Sequence, residues 1–438
     1  MKSPRLFALA AAAALAGTLG MTPVQLQVVN ARQLPASDPS LPRVEPSLAV
    51  HPHNGSHLVV ASMVWATEGP TVEVMSSFDA GSTWRSKLLA GCEFDPWTAV
   101  DDEGVAYVSC LSGRETLVFK SLDGGLIWGP PASLPMSSPH EVAPGEFDHT
   151  ALVLRDAPLS GPSQVVVVGM QEVAVDGREY VAPFASFSRD GAVSFSAPAR
   201  LLWNDLWTNT LNAIALPSGA MLVGIVDFSV GGRRRLDRLR VWTSEFSTPD
   251  NEFAPLTMVV EIAESSTIPV LVGQAGTTNA YVAFDDMRAG RSGIWLANSE
   301  DGGRQWNVPK PVVLGATGGP KSHFSAQGAV GPGGDLVVAW YELADSANRC
   351  LAVRAASSTD DGNSFSEPVD LAASPYCLGD SGASPPAGAS PNARVARRWP
   401  YGGDYFGLAS VGPGRFRVVW ADASSGTFLL SSALLLTR

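Results

Sequence analysis

An eight-residue pattern that returns along the chain constrains its fold more than any other feature. Ser77-Phe78-Asp79-Ala80-Gly81-Ser82-Thr83-Trp84 recurs as Ser121 to Trp128 and again as Ser299 to Trp306. Looser copies run from Ser188 to Phe195 and from Ser358 to Phe365, and Ser244 to Phe253 reads as a decayed sixth. In such an octet the Asp side chain accepts backbone N–H groups inside a tight turn, and Gly supplies a left-handed position. The terminal aromatic is expected to pack between neighbouring units. Each copy marks a hairpin, and repetition on this scale points to a modular architecture.

A second repeat lies between the octets. Short apolar strands follow a polar or acidic residue at Glu45-Pro46, Asp95-Pro96 and Asp148-His149, with further starts near Asn209, Ile268, Phe324 and Asp404. Each leads through a Gly-rich turn to a second apolar strand, such as Leu222–Val226 or Leu336–Trp340. The unit repeats roughly every 50 to 60 residues without helical periodicity, which reads as four-stranded propeller blades. Seven inner-strand starts favour seven blades, with six as the alternative. The last unit offers three strands, Phe406–Val411, Phe416–Trp420 and Thr427–Leu435, and no octet. Gln25–Ala31 can supply its fourth strand and close the ring, which removes the exposed edges. The expected fold is a single all-β propeller over 21–438.

The octet follows the S-x-D-x-G-x-[ST]-[WF] pattern of Asp-box (BNR) repeats. Over nearly all of its mature length the chain resembles bacterial sialidase-like BNR-repeat proteins, whose true sialidases have six blades. Composition sets the remaining bounds. Lys2 and Arg5 precede the Ala-rich apolar run Leu6–Leu19, so residues 1–20 read as a secretory signal, too short for a membrane anchor. Four cysteines fit an exported protein, with Cys92–Cys110 and Cys350–Cys377 as the natural local pairs. A net charge of −12 argues against nucleic acid as a partner. The chain is thus expected to be secreted or periplasmic, a monomer with no membrane span after signal cleavage and no cofactor or metal.

In such blades the loop before the first strand and the loop between the second and third open on one face, and the octets lie on the other. Function is therefore expected on the first set of loops, which are rich in carboxylates, arginines and aromatics suited to carbohydrate. The resemblance to sialidases implies three arginines around a substrate carboxylate, a Tyr nucleophile activated by a Glu, and an Asp as acid/base. Arg43-Val44-Glu45-Pro46 resembles the first arginine motif, with an acid inserted. Phe284-Asp285-Asp286-Met287-Arg288 supplies a second arginine, and Tyr341-Glu342-Leu343 followed by Arg349 or Arg354 resembles the Glu strand. The resulting catalytic candidates are Glu342, Tyr405 and Asp148; Arg43, Arg288, Arg349, Tyr401, Trp399 and Asp404 are the binding candidates. No Asp follows Arg43 at the sialidase acid/base position, where Glu68 is the nearest acid.

Other readings of the same residues stay open. Asp95, Asp148 and Asp404 recur at equivalent blade positions and can cap the loop before the inner strand. His149 and His323 suit hydrogen-bonded loops, and Arg233 to Arg235 a solvated hairpin tip. The Gly- and Ser-rich insertion at 378–396 is either a lid over the channel or a spacer. The expected function is a secreted sialidase-like glycoside hydrolase acting on glycans. A non-catalytic propeller binding glycan or protein in the envelope is the alternative, and a polysaccharide lyase using a Tyr or His base is a weaker third.

Overall fold

The computed structural model describes residues 25–438 apart from 114, 136–143, 156–161, 176–177, 202–207, 231–232, 235–238, 264, 266, 289, 321, 346–349, 378–394, 396–397 and 399–400. The expected leader and nearly all of the insertion at 378–396 therefore lie outside the described residues, as do Arg349 and Trp399.

Among the described residues the strands assemble into seven antiparallel sheets, one per repeat unit, which are the blades of a propeller, and one two-stranded hairpin of Ser229–Val230 with Arg233–Arg234. Blade 1 holds Arg43–His51, Asn54–Trp65, Pro70–Ser77 and Arg85–Leu89. The inner strands of blades 2 to 6 are Phe94–Val100, Pro144–Arg155, Thr208–Ala215, Val270–Gly273 and His323–Val330. Blade 7 is built from Gly407–Gly412, Arg415–Asp422 and Leu429–Thr437. Its outermost strand comes from the other end of the chain: Leu26–Gln33 pairs antiparallel with Leu429–Thr437, Leu26 opposite Thr437. With both chain ends in one sheet, the first and last blades are joined by ladder hydrogen bonds rather than by packing alone.

The core is a ring of layers between blades. Val59, Val74, Val108 and Phe119 fill the seam between blades 1 and 2, and Val165, Val167, Tyr107 and Phe184 the next. Five further clusters repeat this around the ring, one of them spanning blades 6, 7 and 1. Both faces of each blade are thus apolar, which explains strands such as Met221–Asp227 that are buried at every residue.

The octets close the face opposite the inner-strand bulges described below. Asp79 Oδ1 accepts the Thr83 N–H at 2.8 Å, and Asp123, Asp190, Asp301 and Asp360 repeat the bond at 2.9 Å each. The Ser at the head of each octet contributes a second bond that its sequence did not announce. Ser77 Oγ accepts the Gly81 N–H at 2.8 Å and donates to Asp79, and the other four octets do the same. Two successive left-handed residues make the turn, for example Ala80 (φ 56°) and Gly81 (φ 80°). Their carbonyls face the preceding blade. Ser76 donates to Gly125 O, Lys120 to Gly191 O and Arg417 to Ala80 O. Each octet thus staples its own hairpin, and these three are also tied to the preceding blade.

The bonds from Thr83 hold the Asp79 carboxyl down to about 2. In Asp190 burial works the other way, but hydrogen bonds from Ser194, Ser188 and Val193 outweigh it and leave the carboxyl low. A depressed folded value stabilises above the unfolded value and is lost as pH falls through the folded one. Thermal melts between pH 5 and pH 2 should therefore show a steep loss below about pH 4, and Asp190→Asn should flatten part of it. Melting temperatures that stay level over that range would contradict the staple role.

The two expected disulfides are present, Cys92–Cys110 and Cys350–Cys377. The first ties the link between blades 1 and 2 to the second strand of blade 2, and the second pins the end of blade 6 to its third strand. Loops of this length are worth about 3 kcal/mol per bridge through the unfolded chain. Urea melts with and without reductant should differ by about that amount per bridge. Among the described residues no helix is long and apolar enough to cross a membrane.

Candidate active site

Inner strands do not run straight into the channel. In blade 1 the register passes from Val44 opposite Met63 to Ser47 opposite Ala61, so one extra residue is inserted. The same bulge recurs at Phe94/Trp97, Asp148/Ala151, Thr210/Ala213 and Phe324/Gln327. Left-handed residues sit inside four of them: Glu45 (φ 54°), Asp95 (φ 49°), His149 (φ 48°) and Ser325 (φ 52°). Such a conformation is costly for a residue with a Cβ, and bulges of this kind re-aim side chains at the rim of a barrel. Here they turn acidic groups from separate blades toward one another.

Glu45, Asp95, Asp148 and Asp404 meet where blades 1, 2, 3 and 7 converge. The Asp404 N–H donates to Glu45 Oε1 at 3.4 Å, and the His149 N–H donates to Asp95 Oδ2 at 2.9 Å. Asp95 and Asp148 are hydrogen-bonded carboxyl to carboxyl. Tyr405 stands over the group, its hydroxyl donating to Pro96 O at 3.0 Å. Its ring centre is 5.4 Å from that of Trp97 and 5.9 Å from that of His149. His149 in turn is held by Leu211 O through Nε2 at 3.0 Å. A small cavity lined by Trp97, His149, Asn212, Gln327, Asp404 and Tyr405 opens beside them. Asp148 and Asp404 reach solvent, Asp95 is half-buried and Glu45 is 2 % exposed.

Burial and crowding raise three of these carboxyls. Burial, then the neighbouring Asp95 and Asp404, hold the Glu45 carboxyl well above its usual range. Burial and the charge of Asp148 push Asp95 up to about 8, against the opposing bond from His149 N–H. Asp404 is raised by its enclosure and by Asp148, with His149 and Arg398 pulling the other way. Burial followed by the same carboxylates raises the Tyr405 phenol far above its ordinary value, so it stays protonated. The pattern is that of coupled acids sharing a proton.

Gly403 supports this arrangement at close quarters. It lies at φ +122°, and a Cβ there would come within 2.2 Å of Glu45 Cγ. Gly403→Ala should displace Glu45 and lower the melting temperature by several degrees, as expected of an off-region φ with a clash. An unchanged melt would show that the contact is slack.

The other sequence candidates go elsewhere. Arg43 is 1 % exposed and bonds Glu73 at 2.6 Å, with Asp38 O, Leu41 O and Ser37 taking its remaining donors. Arg288 pairs with Asp286 at 2.6 Å and donates to Glu261 O, its guanidinium lying over Phe284 and Trp295. Glu342 meets Arg354 at 3.3 Å and His323 at 3.6 Å within blade 6. Burial and Arg354 lower His323 to about 4, so it is neutral there. Tyr401 stacks on Phe324, ring centres 4.5 Å apart. The structure therefore brings Asp148, Asp404 and Tyr405 together and places Arg43, Arg288 and Glu342 in separate local networks. Glu45, Asp95, Trp97 and His149 join the site without having been chosen from the sequence. Their signal was present: acids at matching blade positions must converge on the axis of a propeller. A larger depression of about 420 Å³ lies on the octet face between blades 7 and 1, lined by Arg32, Trp84 and neighbours but by no carboxyl group.

The topology thus defines a seven-bladed β-propeller with an acidic, aromatic-walled site where its inner strands converge. No family model matches the chain, and no curated protein does. Among solved structures it is similar to an α-L-arabinofuranosidase of Fusarium graminearum, at 10 % identity and TM-score 0.49 over 93 % of this chain and 97 % of that one. A protein of unknown function from Dyadobacter fermentans aligns at 13 % identity and TM-score 0.48, covering 94 % and 99 %. The NanB sialidase of Streptococcus pneumoniae aligns at 10 % and 0.44, covering 95 % and 70 %.

Proposed function

We propose that this chain is an exported glycoside hydrolase that works with paired carboxyl groups at the mouth of its channel. The observation that carries the reading is the convergence of Asp95, Asp148 and Asp404 beside Trp97 and Tyr405, with Asp95 pushed up to about 8. Glycosidic cleavage needs an acid for the leaving oxygen and a second carboxylate for water or for the anomeric carbon. In the simplest course the Asp95–Asp148 pair gives its proton to the leaving oxygen as the C–O bond breaks. Asp404 takes a proton from the water whose oxygen bonds to the anomeric carbon. Trp97 offers an aromatic face to a sugar ring.

The octets, read as Asp boxes, and the two disulfides support an exported sialidase-like scaffold of the BNR type. The Tyr–Glu pair implied by sialidases finds no support in the geometry, since Tyr405 donates to Pro96 O and Glu342 is engaged by Arg354. That same capped Tyr405 favours a second reading, a propeller that binds glycan without cleaving it. A panel of fluorogenic aryl glycosides separates the two. Release by the wild type and its loss in Asp148→Asn supports the hydrolase; glycan binding with no release by the folded protein supports the binder.

A further inference from the structure

Resting on the glycan reading above, we infer that the ligand is a sugar chain bearing no acid group. Four carboxyls lie close together at the site, contributed by blades 1, 2 and 3 and the segment leading into blade 7, and Asp404 lines its cavity. The described arginines expected to answer a ligand carboxylate are spoken for. Arg43 is buried against Glu73, and Arg288 is held by Asp286 and Glu261 O. Arg398 sets its charge against Glu45 and Asp404. A sialic acid or uronate would bring its own negative charge against Asp148 and Asp404, where protein crowding weakens screening.

What the site offers instead is carboxyl groups that pair with hydroxyls. Glu45 Oε2 is buried and has no hydrogen-bond partner among the described residues, while Glu45 Oε1 is already tied to the Asp404 N–H. Asp148 and Asp404 are accessible beside it. A protonated carboxyl both donates to and accepts from a sugar hydroxyl, and the accessible carboxyl oxygens of Asp148 and Asp404 accept from it. Trp97, half-buried on the cavity wall, supplies the apolar complement to a pyranose or furanose face.

Glycan binding by the full mature chain tests this without needing turnover. The probes are neutral arabino-, xylo-, gluco- and galacto-oligosaccharides, set against oxidised uronate congeners and sialylated oligosaccharides of matched length. At least one uncharged series should bind, with its acidic congener at least about tenfold weaker, which corresponds to 1.4 kcal/mol. Asp404→Asn should narrow that gap, and Trp97→Ala should weaken the neutral ligand by tenfold or more, both with unchanged far-ultraviolet circular dichroism. Tighter binding of the acidic congeners would overturn the substrate class while keeping the glycan reading. No binding of any glycan by the folded protein would overturn the glycan reading itself, and this inference with it.

Discussion

Asn in place of Asp95 or Asp148 should cut turnover of a cleaved glycoside by about 10²–10⁴-fold, the range a positioned general acid contributes. The pair acts as one unit, so the double variant should lose little more than either single one. With Asp95 held at about 8, the wild-type rate should fall on the alkaline side near that pH, and this limb should vanish in Asp95→Asn. Stability should fall over the same range. A carboxyl raised from 3.8 to about 8 keeps a proton in the folded chain that the unfolded chain gives up above about pH 4. Its contribution is full below the unfolded value and is lost as pH rises through the folded one. The wild type should therefore melt at a lower temperature at pH 8 than at pH 5, and Asp95→Asn should remove much of that difference. A variant that lost rate and stability together at every pH would instead mark Asp95 as a strand cap.

The second large effect belongs to Arg43, the residue that the sialidase resemblance placed on substrate. Its guanidinium and the Glu73 carboxylate are both almost wholly buried, 2.6 Å apart. Removing one partner leaves an uncompensated charge in the core, at a cost of about 3–5 kcal/mol. Arg43→Ala and Glu73→Ala should each lose that much in urea unfolding. The double change Arg43→Met with Glu73→Leu should recover most of it, because an apolar pair can fill the same space. A loss of glycan binding in Arg43→Ala under conditions where the protein stays fully folded would return the arginine to the site.

What the sequence made legible follows from local chemistry repeated many times. The octets declare their turns through Asp, Gly and a terminal aromatic, and the inner strands declare themselves by apolar runs after an acid. Counting those runs favoured seven blades over six, the cysteine spacing pointed to two local bridges, and the structure has both. The site was only half legible, for a physical reason. Glu45 and Asp95 look like caps on a strand, and nothing local says that a bulge with a left-handed residue swings them inward. Nor does local sequence say that Arg43 has a buried acid waiting 30 residues away in the same blade. Partners that meet only after blade assembly leave no periodic mark. Asp148 and Asp404 stood out because they recur at equivalent blade positions, and Tyr405 because the sialidase resemblance implies a tyrosine; the structure brings the three side by side.

The most direct test is a ¹³C-detected titration of the side-chain carboxyls in the wild type, with Asp95→Asn and Asp148→Asn alongside. One Asp carboxyl should titrate near pH 8 in the wild type; that transition should be absent from Asp95→Asn and moved to lower pH in Asp148→Asn, where burial alone still raises it. If every carboxyl instead titrates below about pH 5, the ordinary range for Asp and Glu, no proton is shared at the channel mouth and the proposed acid is not there.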